Sequence, residues 1–395
     1  MAQAQYLHAL QGSVAKPSES HRAEQHIKVL LIVQDADRPT LETIIGLHRN
    51  GCDVRAICPP KPAFREALAA AGVRLIDLKI TKRLDVEGIR RLRRELIDGR
   101  YDILHAFGSR GLQNGIVALR ALPTRLVAYR GRVGNVSFFD PFSWLRHLSP
   151  RIDRLICVSD AVRDYFLHMR PSFLRAPAGK FVRIYKGHDL AWYTDAPAEL
   201  SQLGIPEHAF VVSCVANYRP HKGIDHLIGA LAHLPHEIPV HLMLVGNMNA
   251  ARLDRVIGAS PLRDRIHRVG YRTDAPALAA ASDVFVLPST IPEGLPRSAI
   301  EAMAYGRACI VTGFGGAAEL VVDGVSGLHV PPGDPAAIAR AVCRLYHDPG
   351  LRQRIGRAAK ERVAACFNIA ATIEQTLDVY RDLLREGRAA HRART

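Results

Sequence analysis

Twice along this chain, short apolar runs alternate with amphipathic segments, a pattern that folds as βαβ units around a parallel sheet. The first series runs through Ile27–Val33, Val54–Cys58, Val73–Ile76, Ile103–His105, Leu126–Tyr129, Leu155–Val158 and Val182–Ile184. The second restarts at Phe210–Val215 and continues through Val240–Val245, Arg265–Val269, Val284–Leu287, Cys309–Val311 and Leu328–Val330. Ile27-Lys28-Val29-Leu30-Leu31-Ile32-Val33 is apolar on both faces of an extended chain, as a strand covered on both sides must be. The predicted fold class is α/β, with two doubly wound, Rossmann-like sheets. In such folds ligands bind beyond the carboxyl ends of the strands, which places the expected site in a cleft where two domains face each other.

A length of 395 residues suits two domains. The pattern sets them at 26–194 and 207–368, joined by a linker over 195–206 that is weak in periodicity. Residues 1–25 are polar and aperiodic, a frayed leader. Residues 369–395 hold a last helical pattern, Ile369 to about Arg385, free to cross back onto the first domain, and a basic tail. Hydrophobic residues at 48% and charged residues at 23% exclude disorder for most of the chain. No apolar run approaches the ~18 residues of a membrane span. Met1-Ala2-Gln3-Ala4-Gln5 has neither the basic nor the apolar region of a signal peptide, so a cytoplasmic protein is expected. Seven scattered cysteines without a C-x-x-C pair point to reduced, buried thiols, and support neither a zinc site nor a disulfide framework.

The net charge of +15 is uneven: residues 1–195 hold 31 Lys and Arg against 19 Asp and Glu, residues 196–395 hold 22 against 19. The first half is therefore expected to meet something anionic. Its densest stretch, Lys79 to Arg100, has Leu84, Ile89, Leu92, Leu96 and Ile97 at helical spacing, with Arg90, Arg91, Arg93 and Arg94 expected on the opposite face. This reads either as a solvated helix face or as a surface resting on the anionic inner face of a membrane, as a peripheral protein. Interleaved aromatics and nucleic-acid motifs are missing, so nucleic acid is not an expected partner.

Two constellations carry chemistry. In Leu287 to Gly306 a buried strand ends at Pro288, a loop runs to Glu293-Gly294, and Pro296 is placed in the first turn of a helix whose Ile300, Met303 and Ala304 face the core. Backbone N–H groups around Gly294, Leu295 and Arg297, with the helix dipole behind them, form an anion-binding terminus. Glu293 and Glu301 are placed to accept hydrogen bonds from sugar or ribose hydroxyls. Glu-x7-Glu spacing occurs three times (Glu87/Glu95, Glu199/Glu207, Glu293/Glu301), and only the third has strand–loop–helix context. The second constellation, Val215 to Asp225, follows the first strand of the second domain. There Arg219 and Lys222 could grip a diphosphate, one as a fork and one as a point charge.

Together with Gly315 to Asp334, these segments resemble glycosyltransferase family 4, the retaining group 1 enzymes of the GT-B fold. The likeness is dense from about Val211 to Val342 and most specific from Leu287 to Asp334. In the first domain Tyr101–His105 and Ile156–Val162 carry it. The resemblance implies a metal-independent transferase with no cofactor, moving a hexose-like sugar from a nucleotide diphosphate sugar to a glycan or glycolipid acceptor. Glu293 would touch the transferred sugar and Glu301 the ribose. Gly294, Leu295 and Pro296 would lie along the diphosphate, Arg219 and Lys222 would neutralise the leaving group, and Tyr271 and Arg272 would hold the base. The basic first domain suggests a lipid-linked acceptor or a lipopolysaccharide or exopolysaccharide precursor.

The chain departs from the family's pattern in several places. The usual Gly-Gly loop after the first strand is Gln34-Asp35-Ala36-Asp37-Arg38-Pro39, whose acid-x-acid spelling is read as coincidence. Asn217 stands where many members carry Arg. Tyr129-Arg130-Gly131-Arg132 replaces a usual His-Gly, and Val245-Gly246-Asn247-Met248-Asn249 lacks a second glycine. Arg130, His105 and Asp35 are the acceptor-side or sugar-contact candidates; Trp144 is read as core or acceptor rim, and Glu319 as a helix cap or ligand contact. Alternatives are a sugar phosphorylase, a sugar-nucleotide epimerase, or a non-catalytic nucleotide-sugar-binding or scaffold protein. An NAD-dependent oxidoreductase is disfavoured because neither first strand leads into G-x-G-x-x-G.

Overall fold

The computed structural model describes residues 26–60, 64–134, 136, 143, 146–169 and 177–392. The leader 1–25 and Trp144 lie outside them. The described residues form two compact units, one of those up to Gly187 together with 369–392 and one of His188–Asn368.

The first unit carries β1 (Lys28–Val33), α1 (Arg38–Arg49), β2 (Asp53–Cys58), α2 (Arg65–Ala70), β3 (Arg74–Asp77), α3 (Val86–Gly99), β4 (Ile103–Phe107), α4 (Ser109–Ala118), β5 (Arg125–Arg130), β6 (Arg154–Cys157), α5 (Asp160–Leu167) and β7 (Phe181–Arg183). Its sheet runs β3-β2-β1-β4-β5-β6-β7, all pairs parallel. Asp37 starts α1: its carboxylate accepts from the Thr40 N–H, and Pro39 occupies the first turn where no donor is lost. The long closing helix Ile369–Arg392 packs Leu377, Tyr380 and Leu383 into the core beside Val29, Leu31, Ile44 and Leu47.

The second unit carries β8 (Phe210–Val215), α6 (Ile224–Ala230), β9 (Val240–Val245), α7 (Ala251–Gly258), β10 (Ile266–Gly270), α8 (Ala275–Ala280), β11 (Val284–Leu287), α9 (Arg297–Ala304), β12 (Ala308–Thr312), α10 (Gly315–Leu320), β13 (Leu328–Val330), α11 (Pro335–His347) and α12 (Pro349–Cys366); α13 (Ile369–Arg392) then returns to the first unit. Its sheet runs β10-β9-β8-β11-β12-β13, again parallel. Residues 195–206, read as a linker, pack on this unit: Ile205 is buried with Val211, Met243 and Leu278, and the Ala198 N–H donates to Ala277 O at 3.1 Å. Both sheets are Rossmann-like. Their order reverses beside the first strand, between β1 and β4 and between β8 and β11, which opens a crevice at the carboxyl ends.

Three local expectations change. Leu84 precedes α3 and Ile97 lies on its outer face, so both are exposed while Leu92 and Leu96 are buried. Pro296 is the N-cap of α9 and not its first residue. Glu319 lies inside α10, because the Gly315-Gly316 pair opens that helix and does not precede it. All seven cysteines are free, five of them buried.

Candidate active site

In the second unit β8 and β11 are the strands flanking the switch point, and each ends in a loop bearing one member of an ion pair. After β8 the chain makes a turn over Pro220–Lys222 that closes at Gly223, φ +68°. A Cβ on Gly223 would meet Pro288 O at 1.9 Å, so only glycine lets this turn press against the loop after β11. The Thr290 N–H donates to His221 O at 2.9 Å and ties the two loops. Across that seam Lys222 Nζ stands 2.7 Å from Glu293 Oε2. The buried Ser289 hydroxyl donates to Glu293 Oε1, so both carboxylate oxygens are held. The side chains are 22% and 17% exposed, open enough for a ligand to reach.

A third segment closes the loop from the other side. Gly316 N–H donates to Glu293 O at 2.9 Å, and a Cβ on Gly316 would lie 1.4 Å from Gly294 O. Thr312 Oγ1, at the end of β12, donates to Ser289 O at 2.8 Å. Gly294, Leu295 and Pro296 therefore pass between the opening of α10 and the start of α9. Pro296 supplies no side-chain cap, and the first-turn amides of α9 together with its dipole suit an anion. One turn on, Glu301 is largely buried and pairs with Arg297 at 3.2 Å.

Arg219 starts the Pro220–Lys222 turn; it is exposed and has no ion-pair partner among the described residues. Beneath the pair, burial pushes the Cys214 thiol up to about 12, so it stays protonated. Tyr271, 76% exposed, borders a cavity of about 680 Å³ at the carboxyl ends of β8–β10, lined also by Asn217, Asn247 and Asn249. Arg272 is forked onto Asp274 at 2.8 and 2.6 Å, and this bonding holds the Asp274 carboxyl below its usual value.

The structure thus brings Lys222, Glu293, Gly294, Leu295 and Pro296 together. Glu301 lies on the adjoining helix, and Tyr271 and Arg272 lie two strands away. Ser289, Thr312 and Gly316 were not singled out from sequence; only the bare positions of Ser289 and the Gly-Gly pair were visible, and their partners are set by the fold.

The acceptor-side candidates of the first unit fare differently. His105 is a core residue: it is fully buried, stacks on Phe107 at 4.3 Å and lies 2.7 Å from the Tyr380 hydroxyl through Nδ1. Burial pulls it down to about 3, so it is neutral. Arg130, at the end of β5, is buried in its own loop, where Nε donates to Arg132 O at 3.0 Å, Nη2 to Gly134 O, and Nη1 faces His147 Nε2 at 3.2 Å. Its guanidinium is committed to shaping that loop and is not presented to a ligand. Asp35 is exposed after β1. Asp37, its neighbour in the acid-x-acid run, caps α1 and pairs with Lys186 at 2.7 Å. Burial raises the Asp37 carboxyl, and Lys186 with Thr40 outweighs this and holds it below its usual value. Among the described residues no three His, Cys, Asp or Glu side chains gather as metal ligands.

Residues 195–362 match the family model described as glycosyl transferases group 1, and residues 38–192 match the one described as glycosyltransferase family 4. A D-inositol 3-phosphate glycosyltransferase of Salinispora arenicola is 33% identical over 215 residues, 49% of this chain and 48% of that one; the chain spans about half the length of this relative. The UDP-Gal:alpha-D-GlcNAc-diphosphoundecaprenol alpha-1,3-galactosyltransferase of Escherichia coli is 24% identical over 382 residues, 91% of this chain and 96% of that one. Among solved structures, Anabaena HepE in complex with UDP superposes with a TM-score of 0.76 at 24% identity, over 90% of this chain and 100% of that one.

Proposed function

This chain belongs to the group 1 glycosyltransferases of family 4, with the GT-B pair of Rossmann-like domains, and from that premise we propose that it moves a hexose-like sugar from a nucleotide diphosphate sugar to a glycan or lipid-linked acceptor. The observation that carries this reading is the Lys222–Glu293 pair, held at the switch point of the second sheet beside the amino end of α9. Lys222 and the exposed Arg219 supply positive charge where the C1–O bond to the diphosphate breaks and negative charge collects on the departing oxygen. The α9 amides and the backbone from Gly294 to Pro296 hold the phosphates. Glu293, fixed by Ser289, accepts from the sugar hydroxyls, and Glu301 accepts from the ribose. The acceptor oxygen bonds to C1 on the face the diphosphate leaves, and its proton passes to that diphosphate, so the anomeric configuration is retained. Two cations from the chain take the part a metal would play, and no metal is required in this reading. Tyr271 and the cavity beside it hold the base. The relative acting on a diphosphoundecaprenol-linked sugar and the cationic first unit both favour an acceptor presented at an anionic membrane surface.

A thermal-shift screen of nucleotide diphosphate sugars in the presence of EDTA, on the wild type and on Glu301→Ala, tests the reading. Donor at ~100 times its Kd adds about 2.7 kcal/mol to the wild type. The expected result is one donor that stabilises the wild type and shifts Glu301→Ala far less. Stabilisation by no donor would overturn the transferase reading; stabilisation without transfer to any acceptor extract would favour the non-catalytic binding protein.

A further inference from the structure

Six large apolar side chains stand exposed among the described residues, and four of them, Leu84, Val86, Ile97 and Val117, lie on α3, its approach and the neighbouring α4. At about 100° per residue, Val86, Arg90, Arg94 and Ile97 share the face of α3 opposite the buried Leu92 and Leu96. Val86 is 60% and Ile97 51% exposed. The arginines of this helix are not equivalent. Arg91 donates to Asp77 O at 3.0 Å, and Arg93 donates to Ala118 O and Arg120 O at 2.8 and 2.7 Å, so both are spent on the fold. Arg90 and Arg94, with Lys79 and Lys82 ahead of the helix, are exposed and have no ion-pair partner among the described residues. Across Lys79–Arg100 eight cations face four carboxylates, of which Asp85 is the N-cap of α3 and Glu95 is paired with Arg55. At the end of α3, Ile97 and Arg100 continue into a groove of about 1150 Å³ lined also by Leu122, Leu383, Leu384 and Arg388.

Water solvates these cations well but not the exposed Val86 and Ile97 side chains set between them, and a protein core would suit the reverse. Together they suit the boundary of an anionic bilayer, where apolar side chains enter the headgroup region and arginines meet phosphates. We propose that the outer face of α3 docks the first unit on an anionic lipid bilayer, with Leu84, Val86 and Ile97 inserted and Lys79, Lys82, Arg90 and Arg94 on the lipid phosphates. The surface is distinct from the Lys222–Glu293 site, so this inference and the transferase reading fail separately.

The test is co-sedimentation of the full chain with phosphatidylcholine vesicles, with and without phosphatidylglycerol, over a range of salt. Binding is expected only with the anionic lipid and should weaken as salt rises. Each arginine removed lowers the partition coefficient about fivefold, so Arg90→Gln with Arg94→Gln lowers it about thirtyfold. Both are exposed and have no ion-pair partner among the described residues, so the thermal midpoint should hold and report intact folding. Val86→Ser with Ile97→Ser should weaken binding while keeping its salt dependence. Equal binding to neutral vesicles, or wild-type binding by the double glutamine variant, would overturn the proposal. So would capture of duplex DNA through the same two arginines as tightly as the anionic vesicle.

Discussion

Lys222 and Glu293, 71 residues apart in sequence, meet at 2.7 Å because β8 and β11 lie side by side where the strand order of the second sheet reverses. In the proposed reaction the pair gives two neighbouring groups opposite tasks, a cation for the leaving diphosphate and a carboxylate for the sugar. Lys222→Ala should lower kcat/KM about 10²–10³-fold, the usual loss when one preorganised charge on a developing anion is removed. Glu293→Gln keeps the shape and should lower kcat/KM by a similar factor. Steady-state kinetics with the donor found by thermal shift checks both.

Arg219 makes a separate prediction. It is exposed and has no ion-pair partner among the described residues, so Arg219→Ala should change the unfolding free energy only within ordinary surface limits, about 0.5 kcal/mol. If it reaches the diphosphate, transfer should still fall at least tenfold. Full activity in the folded variant would leave Lys222 as the sole cation of the leaving group.

Gly316 tests how tightly the Glu293 loop is clamped. A methyl group there would sit 1.4 Å from Gly294 O, a backbone atom with no flexible end to move aside. Gly316→Ala should cost about 2–4 kcal/mol in chemical denaturation or displace the loop and abolish donor binding. A variant with unchanged stability and donor affinity would show that the loop relaxes freely.

The strands were legible because each is a short apolar run between breakers, and parallel strands covered on both faces must be apolar throughout. The Glu293 segment was legible for the same reason: its strand, loop and helix are contiguous in sequence. What escaped is set by contacts distant along the chain. His105 sits in the core because Tyr380 on α13 covers it from 275 positions away. Arg130 turns inward because the carbonyls of Arg132 and Gly134 curl back over it. Ile97 fits a helical period yet faces outward, since spacing alone does not fix which stripe of α3 packs on the sheet. Leu84 never joins the helix, which is capped by Asp85 and starts at Val86.

His105 also gives the stability of the first unit a pH dependence. Burial holds the folded-state ring down to about 3, against an ordinary value near 6.5 in the unfolded chain. Below 6.5 the unfolded chain therefore binds a proton that the folded chain refuses, and stability falls as pH drops from 6.5 toward 3. Above 6.5 neither state is protonated and this contribution is complete. The slope from one such group approaches about 1.4 kcal/mol per pH unit inside that window. His147, likewise buried and held down to about 3, acts in the same direction. Unfolding free energies measured at pH 7 and pH 5 should differ by less in His105→Leu than in the wild type. That variant also loses the bond to Tyr380, so its stability at pH 7 should be lower while its pH slope is flatter. An unchanged slope would mean that the ring is protonated in the folded protein, or that the unfolded chain keeps it from water.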